Sequence, residues 1–146
     1  MSVFHRILVA YDGSHDGDAA LALAVELARD QNAELTLLTV VPDVATAVTS
    51  VAAGPYEVES VYTEIQSGAR AKIPDDVAFT SRIEHGSPAA AITKAAAGHD
   101  LVVMGTHGRG RIAEALIGSV SRDVVHALHG AVLLTRAPEG SDDAAG

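Results

Sequence analysis

Residues 101–125 read LVVMGTHGRGRIAEALIGSVSRDVV. The short apolar run Leu101 to Met104 breaks into Gly105, Gly108 and Gly110, and Gly118-Ser119 then opens an amphipathic segment. A buried strand, a glycine-rich turn and a helix start predict a phosphate cradle of the α/β kind. Glycine lets backbone N–H groups approach an anion, and the helix N-terminus adds unpaired donors and positive dipole. Two common phosphate motifs are excluded by spacing. A dinucleotide fingerprint needs G-x-G-x-x-G, whereas the order here is G-x-x-G-x-G. Gly105 and Gly110 have P-loop spacing, but Arg111 and Ile112 follow, so the lysine and the magnesium-binding hydroxyl are missing.

The flanking residues extend the same pattern in both directions. The apolar run from Arg6 to Tyr11 predicts a strand buried on both faces, ended by the turn Asp12-Gly13-Ser14. Leu21, Ala24, Val25 and Ala28 fall at helical spacing within residues 18–30, and residues 34–41 (ELTLLTVV) predict the second strand. Residues 42–55 lack clear periodicity and predict a loop. Residues 56–73 predict a second helix and residues 78–84 an alternating strand near a sheet edge. Ser87-Pro88 predicts an N-cap with proline at the first helical position, opening a third helix over 89–97. Residues 119–128 and 131–136 complete the pattern as a last helix and last strand. Five strands alternating with four helices imply an open, doubly wound parallel sheet.

The chain has 146 residues and 48% hydrophobic content, which suits one domain with a substantial core. The expected division is a domain over residues 1–137 and a Gly/Asp/Ala-rich, disordered tail over 138–146. No apolar run reaches membrane-spanning length, and no signal peptide is recognised, so a cytoplasmic protein is expected. The chain has no cysteine, which excludes disulfides and thiolate chemistry. Ten basic residues against nineteen acidic ones give a net charge of −9, which argues against non-specific nucleic-acid binding. Only Lys72 and Lys94 are lysines. This acidic, lysine-poor balance fits a halophilic protein in a salt-rich cytoplasm, and fits equally an ordinary acidic protein from a GC-rich genome.

The spacing Gly105-x2-Gly108-x9-Gly118-Ser119, directly after a strand, resembles the ATP-binding signature of the universal stress protein family. The similarity covers nearly the whole chain, from ILVAYDGS at Ile7 to the closing AVLLTR run. The resemblance implies strand order 3-2-1-4-5 in an adenine-nucleotide alpha hydrolase-like (Rossmann-like) sheet with helices on both faces. That order reverses between strands one and four, and ligands bind outside such switch points. The loops Asp12-Gly13-Ser14 and Gly105 to Gly110 would meet there. It further implies ATP or another adenine nucleotide as ligand, with Mg2+ or Mn2+, and a homodimer through the last strand, Ala131-Val132-Leu133-Leu134-Thr135. Family members often carry a proline just before this strand, where His129-Gly130-Ala131 stands here.

The residues expected at the nucleotide are Ala10 and Asp12, Val40 (with Val41 beside it), Met104, Gly105, Thr106, His107, Gly108 and Arg109, then Gly118, Ser119, Val120 and Ser121. Gly105, Gly108 and Gly118-Ser119 would offer main-chain donors to phosphates; glycines there would otherwise serve only a tight turn and a helix cap. Asp12 would accept from ribose hydroxyls or help hold a divalent ion, or form an Asx turn with Ser14. In the resemblance, main-chain groups at Val40 receive adenine, and Val120 and Ser121 neighbour the phosphates. Arg109 and Arg111 could neutralise phosphate or be solvated. His107 has no carboxylate partner visible in the sequence and is expected as a contact rather than a base. His126 and His129 lack a third ligand and read as a surface pair. Asp12 alone would suit a response regulator, but the acceptor aspartate after strand three and lysine after strand five are missing. No catalytic residue is assigned, because no nucleophile triad, metal cluster or general-base pair stands out. The expected function is a nucleotide-dependent regulator in stress response. The alternatives are a slow Mg-dependent ATPase, or a nucleotide-free interaction dimer with a possible protein partner.

Overall fold

In the computed structural model, residues 2–43, 55–108 and 117–138 are described. The apolar runs form β1 (Arg6–Ala10), β2 (Glu34–Val41), β3 (Phe79–His85), β4 (Leu101–Gly105) and β5 (Ala131–Thr135). Between them lie α1 (His15–Gln31), α2 (Pro55–Ala71), α3 (Pro88–Ala95) and α4 (Ser119–Ala127). All strand pairings are parallel and the sheet order is β3-β2-β1-β4-β5, as the resemblance implies. Arg109, Gly110, Arg111 and most of the expected loop and tail lie outside the described residues.

The continuous apolar character of β1 and β4 has a direct cause: both faces of the sheet are covered. Ile7, Val9, Leu101 and Val103 join one core with Leu21, Ala24 and Ala28 of α1 and Ala69 of α2. Their neighbours Leu8, Val102 and Met104 point the other way, onto Ile92 of α3 and Val124 of α4. Ile7, Leu8 and Val9 are all fully buried, and each contributes roughly 1.5–3 kcal/mol of transfer free energy. β3, at one edge, alternates between exposed and half-buried positions as expected.

The element ends differ from the sequence reading by a few residues, and the largest difference bears on the site. Helix α1 begins at His15 rather than at Asp18, because Ser14 caps it: its hydroxyl accepts from the Gly17 amide at 3.0 Å. The first turn therefore contains Asp16 and Gly17. Helix α3 does carry proline at its start, but the Ser87 side chain makes no capping bond. At the opposite end of the sheet, Asp100 joins β4 to β1 by accepting from the His5 and Arg6 amides at 2.8 and 3.1 Å.

Candidate functional site

The strand order reverses between β1 and β4, and a cavity of about 510 Å³ opens beyond their carboxyl ends. Of the expected residues it is lined by Ala10, Asp12, Val40, Met104, Gly105, His107, Gly108 and the run Gly118 to Ser121. Thr106 lies behind this wall, and Arg109 is outside the described residues. Residues not anticipated also line it: Leu38, Pro42, Tyr62, Pro88 and Ile92 supply an apolar side, and Arg122 a cationic one. His126 and His129 lie apart, both exposed.

The signature glycines are required chiefly for their size. A Cβ on Gly105 would stand 2.7 Å from the Asp16 Cβ, because the first turn of α1 lies directly over the end of β4. A Cβ on Gly108 would stand 2.7 Å from Oδ2 of Asp12, so the two loops touch at that point. Gly118 lets the chain close on the loop, and its own amide donates to the Thr106 carbonyl at 2.6 Å. The Gly118 amide, expected as a phosphate donor, is thus engaged within the loop. The amides of Ser119, Val120 and Ser121, the first three residues of α4, cannot be paired within the helix. They line the polar end of the cavity with the helix dipole behind them. The Ser121 hydroxyl turns inward to the carbonyls of Gly105 and Thr106, at 2.7 and 3.0 Å, which leaves its backbone N–H as its contribution.

Asp12 forms the Asx turn: Oδ1 accepts from the Ser14 amide at 3.0 Å and from its hydroxyl at 2.6 Å. Oδ2 faces Gly108. No group of three or more His, Asp or Glu side chains suited to a metal occurs among the described residues. A divalent ion at Asp12 would thus take its other ligands from phosphate and water, the usual arrangement for Mg2+. Tyr11 stands between these groups and α1. Burial, the hydrogen bond to Asp18 and the charges of Asp18 and Asp12 push its phenol well up, so it remains a donor to Asp18.

At the opposite side, hydrogen bonding along β2 alternates. The Leu38 carbonyl accepts from the Tyr11 amide at 2.9 Å, and the Val41 carbonyl, turned toward β3, accepts from Gly86 at 3.0 Å. By that alternation the Val40 backbone groups face the β1 side, beyond Ala10, which is the last β1 residue in register with β2. The end of β2 thus presents main-chain groups to the cavity next to the Val40 side chain.

The sequence reading missed Asp16. It is 4% exposed, and its Oδ2 accepts from the Thr106 hydroxyl at 2.8 Å and the His107 amide at 3.2 Å. The His107 ring lies at 3.3 Å through Nδ1, so this histidine has a carboxylate partner that is not visible in the sequence. Burial alone would push the Asp16 carboxyl up. The amide of Ala137, the Thr106 hydroxyl and both His107 donors more than cancel this and hold it below the usual carboxylate range. The His107 side chain is only 3% exposed, which suits a buried support better than a nucleophile or base open to a ligand.

The model of the universal stress protein family matches residues 4–136. A Staphylococcus epidermidis protein assigned to the universal stress proteins is 31% identical over 155 aligned residues, covering 98% of this chain and 90% of its own. Universal stress protein UspA from Lactobacillus plantarum superposes with a TM-score of 0.72 at 24% identity, over 93% of this chain and all of that one. A universal stress protein solved in complex with cAMP superposes with a TM-score of 0.66 at 25% identity, covering 94% of this chain and 100% of its own. The chain belongs to the universal stress protein family. No helix among the described residues is long and apolar enough to cross a membrane.

Proposed function

We propose that the protein binds an adenine nucleotide, ATP with Mg2+ or Mn2+, in the crevice beyond β1 and β4, and acts as a nucleotide-dependent regulator in stress response. The observation that carries this reading is the set of α4 first-turn amides, Ser119 to Ser121, at the polar end of a cavity with an apolar opposite side. Triphosphate would lie against these amides, ribose and metal near Asp12, and adenine between Val40, Met104 and Ile92. The cAMP complex of a relative supports an adenine nucleotide. The protein would work as a cytoplasmic homodimer through β5, whose outer edge has no strand beside it among the described residues and whose Val132, Leu133 and Leu134 are half-buried.

The test is calorimetric titration of the full chain with ATP–Mg, AMP and cAMP, alongside chromatography of any nucleotide released on denaturation. The informative variant is Ser119→Pro. Proline is well tolerated at the first helical position, and Gly118 already has the extended backbone (φ −73°, ψ 163°) that precedes proline comfortably. It deletes one N–H and leaves the helix, so affinity should fall about tenfold or more, as for a lost hydrogen bond to a charged acceptor. A folded wild-type protein that binds none of the three nucleotides would overturn the reading.

A further inference from the structure

Asp16 is the one buried carboxylate among the described residues, and its hydrogen bonds divide between two segments far apart in the chain. Oδ2 holds the loop after β4, through the Thr106 hydroxyl and the His107 amide. Oδ1 holds the segment leaving β5, accepting from the Ala137 amide at 2.7 Å. The backbone repeats the junction: the Asp16 carbonyl accepts from the Thr135 hydroxyl at 3.1 Å, and the Thr106 amide donates to the Thr135 carbonyl at 2.8 Å. Helix-terminal acids that merely complement the dipole remain in water, where they cost nothing to hold charged. A carboxylate 5% exposed is costly to desolvate unless several donors face it. The donors here come from the phosphate loop and from the exit of the outer strand.

We propose that Asp16 is a positioning residue that couples the nucleotide loop to β5, so that occupancy of the crevice is transmitted to the outer edge of the sheet. The inference rests on the nucleotide site above and names its route of regulation. Because one rigid carboxylate serves both segments, a shift of the loop that draws on Oδ2 displaces Oδ1 from Ala137. The same network fixes the His107 ring. The Thr106 hydroxyl donates its single proton to Asp16 and lies 3.2 Å from Nδ1. Both neighbours of Nδ1 are therefore acceptors, which places a proton on Nδ1.

The experiment is hydrogen exchange and histidine 15N NMR on the full chain, wild type and Asp16→Asn, with and without ATP–Mg. An asparagine retains one acceptor oxygen and turns an NH2 toward donors on the other side, so it cannot serve both segments. Without nucleotide, the His107 and Ala137 amides should both exchange about tenfold faster or more in Asp16→Asn, with β2 and β3 unchanged. The His107 ring should also lose its Nδ1–H signature. In wild type, ATP–Mg should raise protection at residues 135–137, and the variant should lose that response. Acceleration of only one segment, or a wild type that binds ATP without any change at 135–137, overturns the coupling. Wild type that binds no nucleotide sinks the site reading instead, while the nucleotide-free exchange still decides whether Asp16 joins the segments. If Asp16→Asn does not fold, Thr106→Val removes the hydroxyl's bond to Asp16 and its contact with His107 Nδ1. It should still accelerate Ala137, and no acceleration there would equally refute the coupling.

Discussion

Replacing Gly105 by alanine should destabilise the protein severely, whereas the same change at Gly68 should stabilise it. The new methyl at Gly105 would lie 2.7 Å from the Asp16 Cβ, 2.8 Å from the Asp16 carbonyl carbon and 3.0 Å from the Gly17 nitrogen. Carbon atoms pack favourably at about 3.5–4.0 Å, so the first turn of α1 must lift by roughly 1 Å. That turn is held by the Ser14 cap and by the 2.8 and 2.7 Å bonds of Asp16 to Thr106 and Ala137. Overpacking of this kind costs about 1–3 kcal/mol. A lift of that size also breaks at least one bond to the carboxylate, a further ~1.5–3 kcal/mol. The expected loss is about 3–5 kcal/mol, or a midpoint lower by roughly 10 °C at this chain length. At Gly68, in the interior of α2, an added Cβ meets nothing within 4 Å. Alanine there should gain about 0.8–1 kcal/mol from helix propensity alone. Equilibrium urea unfolding of both variants measures the difference directly. A Gly105→Ala protein within about 1 kcal/mol of wild type would refute the close approach of α1 to β4.

Three further outcomes are expected. Gly108→Ala places a methyl 2.7 Å from Asp12 Oδ2, and since Oδ1 is tied to Ser14 the carboxylate must rotate. ATP–Mg affinity should drop about tenfold with stability changed by less than ~1 kcal/mol, a result calorimetry and unfolding together can check. Asp16 has its pKa lowered from 3.8, so its contribution is fully present above 3.8 and is lost as pH falls through the folded-state value. Acid unfolding of Asp16→Asn should consequently show a flatter limb below 3.8, and an unchanged limb would count against the network. His99 is drawn below 6.5 by burial, partly opposed by the Ala95 carbonyl and reinforced by Arg6. The unfolded chain then binds the proton first, so stability is full above 6.5 and falls as pH drops below it. His99→Gln should remove that slope in urea titrations stepped downward from 6.5.

The fold was legible because both faces of the sheet are covered. Ile7-Leu8-Val9 and Leu101-Val102-Val103 could read as unbroken apolar runs only if helices packed on each side, and the two cores divide those residues alternately. The site was legible in outline for a related reason: a glycine-rich turn after such a strand has few uses other than close approach. Its support was not legible. Asp16 looks like any acid in a helical first turn, and its partners Thr106 and Ala137 are 90 and 121 residues away. No local spacing encodes that meeting. Only the parallel order, which brings β4 and β5 beside the start of α1, creates it. The one available signal was Asp16-Gly17 two residues after Ser14, where a cap at Ser14 would have pulled the helix start forward and placed both residues against the strand ends.

The close contacts of the signature glycines and the donors of the proposed site are therefore separate features. Gly105 admits the first turn of α1, Gly108 admits the Asp12 carboxylate, and Gly118 closes its amide on Thr106. None of these functions needs a ligand, and each would persist in a relative that had stopped binding nucleotide. The donors proposed to meet a ligand are the amides of Ser119, Val120 and Ser121, whose side chains are less constrained by the same geometry because backbone N–H groups are common to every residue but proline. Loss of nucleotide binding would hence register as substitutions that fill the cavity at Val40, Met104 or Val120, with the glycines intact. Val120→Trp tests this: it should abolish binding while leaving the midpoint of unfolding within a few degrees of wild type, as expected for a partly exposed wall residue. A variant that still binds ATP as tightly as wild type would place the nucleotide elsewhere than against the α4 first turn.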